Sequence, residues 1–270
     1  MTRFWHGAAT SVGMVRRVNE DSYLALPPLF AVADGMGGHG AGDLASRLAV
    51  DTLTAVVRQR PLSPEGVLAA LDGANRAIVT YEGARGMGTT ITGLALLETS
   101  GGDHLMVFNV GDSRVYRLSG GHLEQVTVDH SEVQELVKAG VITRDQARIH
   151  PRRNIVTRAL GTVPASRPDY WLLPAVAGDR YLICSDGLYT EVPDEHIQSL
   201  LSAGSPQSAA DSLVAAAEVA GGHDNVTVIV IDVVGFGDID AGALDGQAGI
   251  DETTLPPDGV SRDEFRGSEG

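Results

Sequence analysis

Short apolar runs and amphipathic stretches alternate along the first 234 residues of this chain. Leu29–Ala33, Leu105–Val110, Arg180–Cys184 and Val226–Val234 are of strand length and rich in Val, Ile or aromatic residues. Thr89–Leu97 predicts a further strand, with Thr89, Thr90 and Thr92 on a β-branched track. Tyr116-Arg117-Leu118, the glycine-rich Ser119-Gly120-Gly121 and His122-Leu123 predict a hairpin. Gly42–Arg58 carries Leu44, Leu48, Val50, Leu53 and Val57 near helical spacing. Ser63–Tyr81 opens on Ser63-Pro64-Glu65, a capping residue followed by proline at the first helical position, and sets Val67, Leu68, Leu71 and Ile78 on one face. Pro193–Leu201 and Ser205–Ala220 read as two more helices. The helices come in pairs between groups of strands, unlike the strict alternation of a parallel sheet. An α+β fold of largely antiparallel sheets covered by helices is expected.

The pattern changes near Gly235. Residues 235–270 hold nine acidic and two basic residues, are rich in glycine and poor in large apolar side chains. Such a segment buries too little to offset its ordering entropy. The expected organisation is therefore one domain over 1–234 and an acidic disordered tail over 235–270. The whole chain of 270 residues has 20 basic and 35 acidic residues, net −15. That balance argues against nucleic-acid partners, which need clustered Lys and Arg. No unbroken apolar stretch approaches the roughly 20 residues of a membrane span. The first residues, Met-Thr-Arg-Phe-Trp-His-Gly, lack the apolar core of a secretory signal. The single Cys184 excludes an intrachain disulfide and cysteine-based zinc or iron–sulfur sites, and fits a reducing compartment. A soluble cytoplasmic protein is expected.

The candidate chemistry is acidic. Asp34, Asp112 and Asp186 each follow an apolar strand and have a glycine beside them, and Asp224 stands just before the strand Val226–Val234. A single Asp-Gly is a common turn. Four such aspartates are different, because the end of one antiparallel strand and the start of its neighbour share an edge, so all four can meet at one rim. Oxygen donors without Cys or His favour hard cations such as Mg²⁺ or Mn²⁺. A pair of such ions can deprotonate a shared water at neutral pH.

Six segments make the reading specific: Arg16-Arg17-Val18-Asn19-Glu20-Asp21-Ser22, Ala33-Asp34-Gly35-Met36-Gly37-Gly38-His39-Gly40, Gly86-Met87-Gly88-Thr89-Thr90, Val110-Gly111-Asp112-Ser113-Arg114, Cys184-Ser185-Asp186-Gly187-Leu188 and Gly222-His223-Asp224-Asn225-Val226-Thr227. In this order and spacing, over about residues 5–233, the chain resembles the bacterial metal-dependent serine/threonine protein phosphatases of the PPM type, similar to protein phosphatase 2C. The resemblance implies a four-layer α-β-β-α sandwich of two mainly antiparallel sheets flanked by helix pairs. It implies that Asp34 bridges two Mg²⁺ or Mn²⁺ ions, that Asp186 and Asp224 complete the first site, and that the Gly35 carbonyl joins the second. Asp112 would hold a third, weaker ion with Asp186. Arg16 matches the phosphate-binding arginine, and Glu20, Asp21 and Asn225 would support the ligands from behind. Eukaryotic members carry a proposed general-acid histidine where this chain has Met36; His39 or a metal-bound water is left for that role. The implied reaction is direct attack of water on the phosphorus of phosphoserine or phosphothreonine, without a phosphoenzyme. The alternatives are a non-catalytic regulatory domain and a small-molecule phosphoesterase on the same fold.

Other groups are weaker candidates. Ser131–Arg148 reads as helical and falls in the flap of the resemblance; Arg144, Arg148, Arg152, Arg153 and Arg158 are either contacts for an acidic phosphopeptide or solvated surface charge. The loop Gly35–Gly42 lacks the Gly-Lys-Ser/Thr of a P-loop. Cys184 reads as a buried small hydrophobe, and Trp5 and Trp171 as core. Expected partners are phosphorylated protein substrates and Ser/Thr kinases, with the chain itself a monomer. Asp251-Glu252-Thr253-Thr254 resembles the acid-Thr-Thr sites that bacterial kinases phosphorylate and forkhead-associated domains bind, so Thr253 and Thr254 are candidate recruiting sites, against an inert solubilising tail.

Overall fold

The computed structural model describes residues 2–37, 41–58, 61–82, 86–99 and 101–235. The reading of the tail, Thr253 and Thr254 included, and that of His39 fall outside the described residues. One sheet has the order β1 (Arg3–Ser11), β11 (Val226–Val234), β10 (Arg180–Cys184), β7 (Arg114–Ser119), β8 (His122–Gln125). The other runs β2 (Asp21–Leu26), β3 (Leu29–Met36), β5 (Ile91–Leu97), β6 (His104–Val110), β9 (Asp169–Pro174), with the short β4 (Gly88–Thr89) on β3. Every strand pairing is antiparallel.

The alternation of side chains along the strands sorts the core into three apolar layers. On β3, Leu29, Ala31 and Ala33 meet α1 (Ala41–Val57) and α2 (Pro64–Thr80). Phe30 and Val32 point the other way, into the space between the sheets, where they join Tyr181, Ile183, Ile229 and Ile231. Leu182, Val228 and Val230 face outward again onto α6 (Asp194–Leu201) and α7 (Pro206–Ala220), and Cys184 lies buried among them. The fold is thus the four-layer α-β-β-α sandwich. Strands buried on both faces read as continuous apolar runs, which is why β3, β6, β10 and β11 were legible. β1, β2 and β9 were not, because each lies at a sheet edge with half-exposed positions that dilute the signal.

Several local expectations need correction. The strand expected over Thr89–Leu97 is broken at Thr90, because the Asp34 N–H donates to the Thr90 hydroxyl (3.0 Å). On α1 the residues nearest the sheet are Ala45, Ala49 and Leu53, while Leu44 and Leu48 flank them. Small residues let the helix sit close: a Cβ on Gly35 would lie 2.2 Å from the Gly42 carbonyl oxygen. The single helix expected over Ser131–Arg148 is two, α3 (Glu132–Lys138) and α4 (Arg144–Arg148), separated by a turn with Gly140 at φ +70°. Trp171 packs against the inter-sheet core, but Trp5 is 54% exposed. The cause is the reach of α7, whose first turn covers Gly7 and leaves Trp5, two residues earlier on that face, uncovered. From that first turn, the Gln207 side chain accepts from the Ala8 N–H (3.2 Å) and donates to the Ala8 carbonyl (3.0 Å) on β1.

Serine caps start α2 and α7. Ser63 and Ser205 accept from the main-chain N–H groups of Gly66 and Ser208, each with proline next in sequence. Each cap contributes about 1 kcal/mol by satisfying a donor that the helix leaves free.

Candidate active site

Five carboxylates gather at one end of the sandwich, and both sheets contribute. Asp34 on β3 stands opposite Asp21 on β2 in the strand register. Asp112 lies in the turn between β6 and β7. Asp186 opens α5 (Asp186–Tyr189) directly after β10, and Asp224 precedes β11. The sheets are joined here by Ser185, whose hydroxyl donates to Asp21 Oδ2 (2.8 Å) and accepts from the Thr227 N–H (2.9 Å).

Their electrostatics report the crowding. Burial, then the charges of Asp21, Asp186, Asp112 and Asp224, push the Asp34 carboxyl well above the ordinary carboxylate range. Burial and then Asp186 do the same to Asp112. Asp186 is pushed up to about 6, first by burial and then by Asp224. Asp21 is pushed up to about 7, mainly by burial, against the lowering effect of its Thr227 and Ser185 hydrogen bonds. Like charges in a shared apolar setting disfavour ionisation unless a cation intervenes.

Two oxygens are free to meet one. Asp21 Oδ1 and Asp186 Oδ1 are buried and have no hydrogen-bond partner. Unpartnered buried carboxylate oxygens are costly, and an all-oxygen donor set suits a hard divalent ion. No three acidic, histidine or cysteine side chains among the described residues form a tight cage by themselves.

Arg16 brings a cation to the rim. Its Nη2 lies 2.7 Å from Asp224 Oδ2, with half of the arginine side chain in solvent. The loop that carries it is fastened by Asn225, which accepts from the Glu20 N–H (2.9 Å) and donates to the carbonyls of Val12 (3.0 Å) and Val18 (2.9 Å). Glu20 makes its recorded contacts through the main chain: its carbonyl accepts from Gly35 N–H (3.1 Å) and the Ser46 hydroxyl (2.6 Å). Asp21, Asn225 and Arg16 are thus brought to the carboxylates.

The structure adds supporting groups that the sequence did not reveal. Thr90 links the Asp34 N–H to the hydroxyl of Ser113, beside Asp112. The Arg114 guanidinium grips Asp129 at 2.7 Å and lies 3.4 Å over the centre of the Tyr189 ring. Among the arginines considered as peptide contacts, Arg148, Arg152 and Arg158 pair with Asp194, Glu132 and Asp169, so much of their charge is already neutralised. For Arg144 and Arg153 no ion pair is recorded among the described residues.

Residues 17–218 match the protein phosphatase 2C family. The serine/threonine protein phosphatase PstP of Mycobacterium tuberculosis is 40% identical over 95% of this chain, and the chain spans 51% of that protein's length. The serine/threonine phosphatase stp of Listeria welshimeri is 36% identical over 83% of the chain and 93% of its own length. A crystal structure of the catalytic domain of PstP, in complex with two manganese ions, superposes with a TM-score of 0.80 at 38% identity, covering 87% of this chain and 100% of that one. With a fold, an order of motifs and a match that agree over most of its length, this chain belongs to the protein phosphatase 2C family.

Proposed function

We propose that the chain is a metal-dependent serine/threonine protein phosphatase, a hydrolase that acts on phosphoserine and phosphothreonine in proteins. The carrying observation is the buried, unpartnered Oδ1 of Asp186 within five carboxylates drawn from both sheets. Asp34, Asp186 and Asp224, with the Gly35 carbonyl, would hold two core ions, and Asp112 with Asp186 a weaker third. The manganese in the PstP catalytic domain supports Mn²⁺, with Mg²⁺ the other hard cation the donors suit. Such ions supply a water that is nucleophilic at neutral pH and positive charge for the phosphoryl oxygens.

The protein's own groups do the rest. Arg16 turns from Asp224 to the phosphate and orients it for in-line displacement. Asn225 holds the Arg16 loop in register with Asp224. Asp21, through Ser185, keeps the two sheets at a fixed separation under the ions. His39 is the candidate donor of a proton to the leaving alkoxide, on sequence alone. A non-catalytic regulatory domain is disfavoured because the full carboxylate set is present.

Partners and setting follow from the same reading. We infer a signalling role against bacterial Ser/Thr kinases, acting as a monomer. No helix among the described residues is long and apolar enough to cross a membrane, and the single cysteine favours the cytoplasm. Thr253 and Thr254 are proposed as phosphorylation sites that recruit a forkhead-associated partner. Mass spectrometry of an Asp34→Ala protein treated with a cognate kinase tests this; no phosphate within 250–258 would remove it.

The function is tested by Mn²⁺-dependent phosphate release from a panel of phosphopeptides and small phosphate esters. Turnover of phosphoserine and phosphothreonine peptides that EDTA abolishes and Mn²⁺ restores is expected. Hydrolysis of the small esters with no turnover of the peptides would favour the small-molecule phosphoesterase.

A further inference from the structure

His130 is buried at the point where the segment 131–158, which carries α3 and α4, leaves the body of the protein. Its Nδ1 lies 3.1 Å from the Gly111 nitrogen. A main-chain N–H can only donate, so Nδ1 is the acceptor. The neutral ring then carries its proton on Nε2, which donates to Asp169 Oδ2 (3.2 Å). Arg158 Nη1 also stands 3.2 Å from Nε2, but both atoms are donors, so that contact is not a hydrogen bond; Arg158 instead donates to Asp169 Oδ1 (3.0 Å). Asp169 therefore gathers both ends of the segment, His130 at its start and Arg158 at its close.

The other side of the ring meets the site. Gly111 immediately precedes Asp112 and sits at φ +119°, with Thr90 so close that a Cβ would come within 2.5 Å. Besides its N–H bond to His130, its carbonyl accepts from the His130 N–H (2.8 Å) and from Asn109 Nδ2 (3.0 Å). The segment closes on itself at the same place: Thr157 N–H donates to the His130 carbonyl (2.7 Å) and Glu132 N–H to that of Ile155 (2.9 Å). One imidazole thus spans the closure of the segment and the residue that sets the direction of Asp112.

We propose that His130 is a positioning residue, which fixes the Asp112 turn through Nδ1 and the base of the 131–158 segment through Nε2. This rests on the reading of Asp112 as part of the catalytic site. The two nitrogens can be separated by substitution. An asparagine side-chain oxygen reaches the place of Nδ1, and a glutamine side-chain nitrogen reaches that of Nε2.

The test compares His130→Ala, His130→Asn and His130→Gln in three measurements on the full chain. These are Mn²⁺-dependent turnover of p-nitrophenyl phosphate, amide hydrogen exchange at Gly111 without metal, and the rate of tryptic cleavage at the arginines of 144–153 without metal. His130→Ala is expected to lower kcat about tenfold, the scale on which groups behind metal ligands act, with KM little changed. It should also speed Gly111 exchange and tryptic cleavage. His130→Asn should restore kcat and Gly111 protection relative to His130→Ala, with cleavage still fast. His130→Gln should restore resistance to trypsin, with kcat still low and Gly111 exchange still fast. Parallel loss by all three variants in every measurement, in step with their melting temperatures, would show a histidine that only fills the core and overturn the proposal. Unaltered Gly111 exchange in His130→Gln would overturn it too. If the parent protein hydrolyses no phosphate ester, the functional reading fails separately, and the split between exchange and proteolysis still decides the role of His130.

Discussion

The Tyr189 hydroxyl donates a 3.0 Å hydrogen bond to the main-chain oxygen of Asp112, which ties α5, the helix that Asp186 begins, to the turn that holds Asp112. Two carboxylates 74 positions apart are thereby kept in one geometry. Tyr189→Phe keeps the ring under Arg114 and removes only this bond. We expect a stability loss of about 1 kcal/mol, the net worth of one such bond. Turnover should fall with it and Mn²⁺ half-saturation should rise, because Asp112 is freed to move. Denaturant melts and a metal titration of activity check both; unaltered half-saturation would leave Tyr189 with a packing role alone.

Asp34 should separate activity from stability. Burial, and then the charges of four acidic neighbours, disfavour its ionised form. Asp34→Ala removes this buried, crowded carboxyl together with the proposed bridging ligand. We expect turnover at saturating Mn²⁺ to be lost, while the metal-free melting temperature holds or rises. Retained turnover would sink a two-ion site centred on this residue.

Arg16→Ala should leave the fold alone. A rim ion pair like Arg16–Asp224 contributes only about 0–1 kcal/mol. The arginine's charge helps both bound phosphate and the transition state, so KM should rise and kcat should fall together. Steady-state kinetics on a phosphopeptide give the answer, and an unmoved KM would argue against phosphate contact.

The carboxylate cluster also sets a pH dependence. Asp21 near 7 and Asp186 near 6 stay protonated in the metal-free fold where the unfolded chain, with ordinary aspartates at 3.8, has already released its protons. The folded state thus binds more protons, and its stability falls as pH rises from about 4 to about 7. Divalent ions bind the deprotonated form and offset that loss. The gain in melting temperature on adding Mn²⁺ should therefore widen across this window. A gain independent of pH would show that ion binding is not linked to the protonation of this carboxylate cluster.

How much of this could be read in advance depends on where a residue sits. Asp34, Asp112 and Asp186 were visible because each ends a strand buried on both faces, and such strands announce themselves as unbroken apolar runs. The edge strands β1, β2 and β9 share their side chains with solvent, and the exposure of Trp5 depends on where α7 begins, which no local pattern on β1 records. The supporting groups were hidden by distance along the chain. Nothing near Ser185 in sequence points to Asp21, 164 positions away, and nothing near His130 points to Gly111 or Asp169. Local pattern finds the groups that bear charge; only the closed sandwich reveals what holds them.

The side chain of Gln207 bears on how copies of this protein behave toward one another. β1 is an outer strand, and an outer strand offers its free main-chain groups as a template for a stranger's backbone. The carboxamide occupies both the donor and the acceptor of Ala8, near the midpoint of that margin. A second molecule seeking to extend the sheet would meet an amide that already imitates the incoming chain. Concentrated solutions should accordingly resist sheet-to-sheet polymerisation along this side, and Gln207→Ala should expose it.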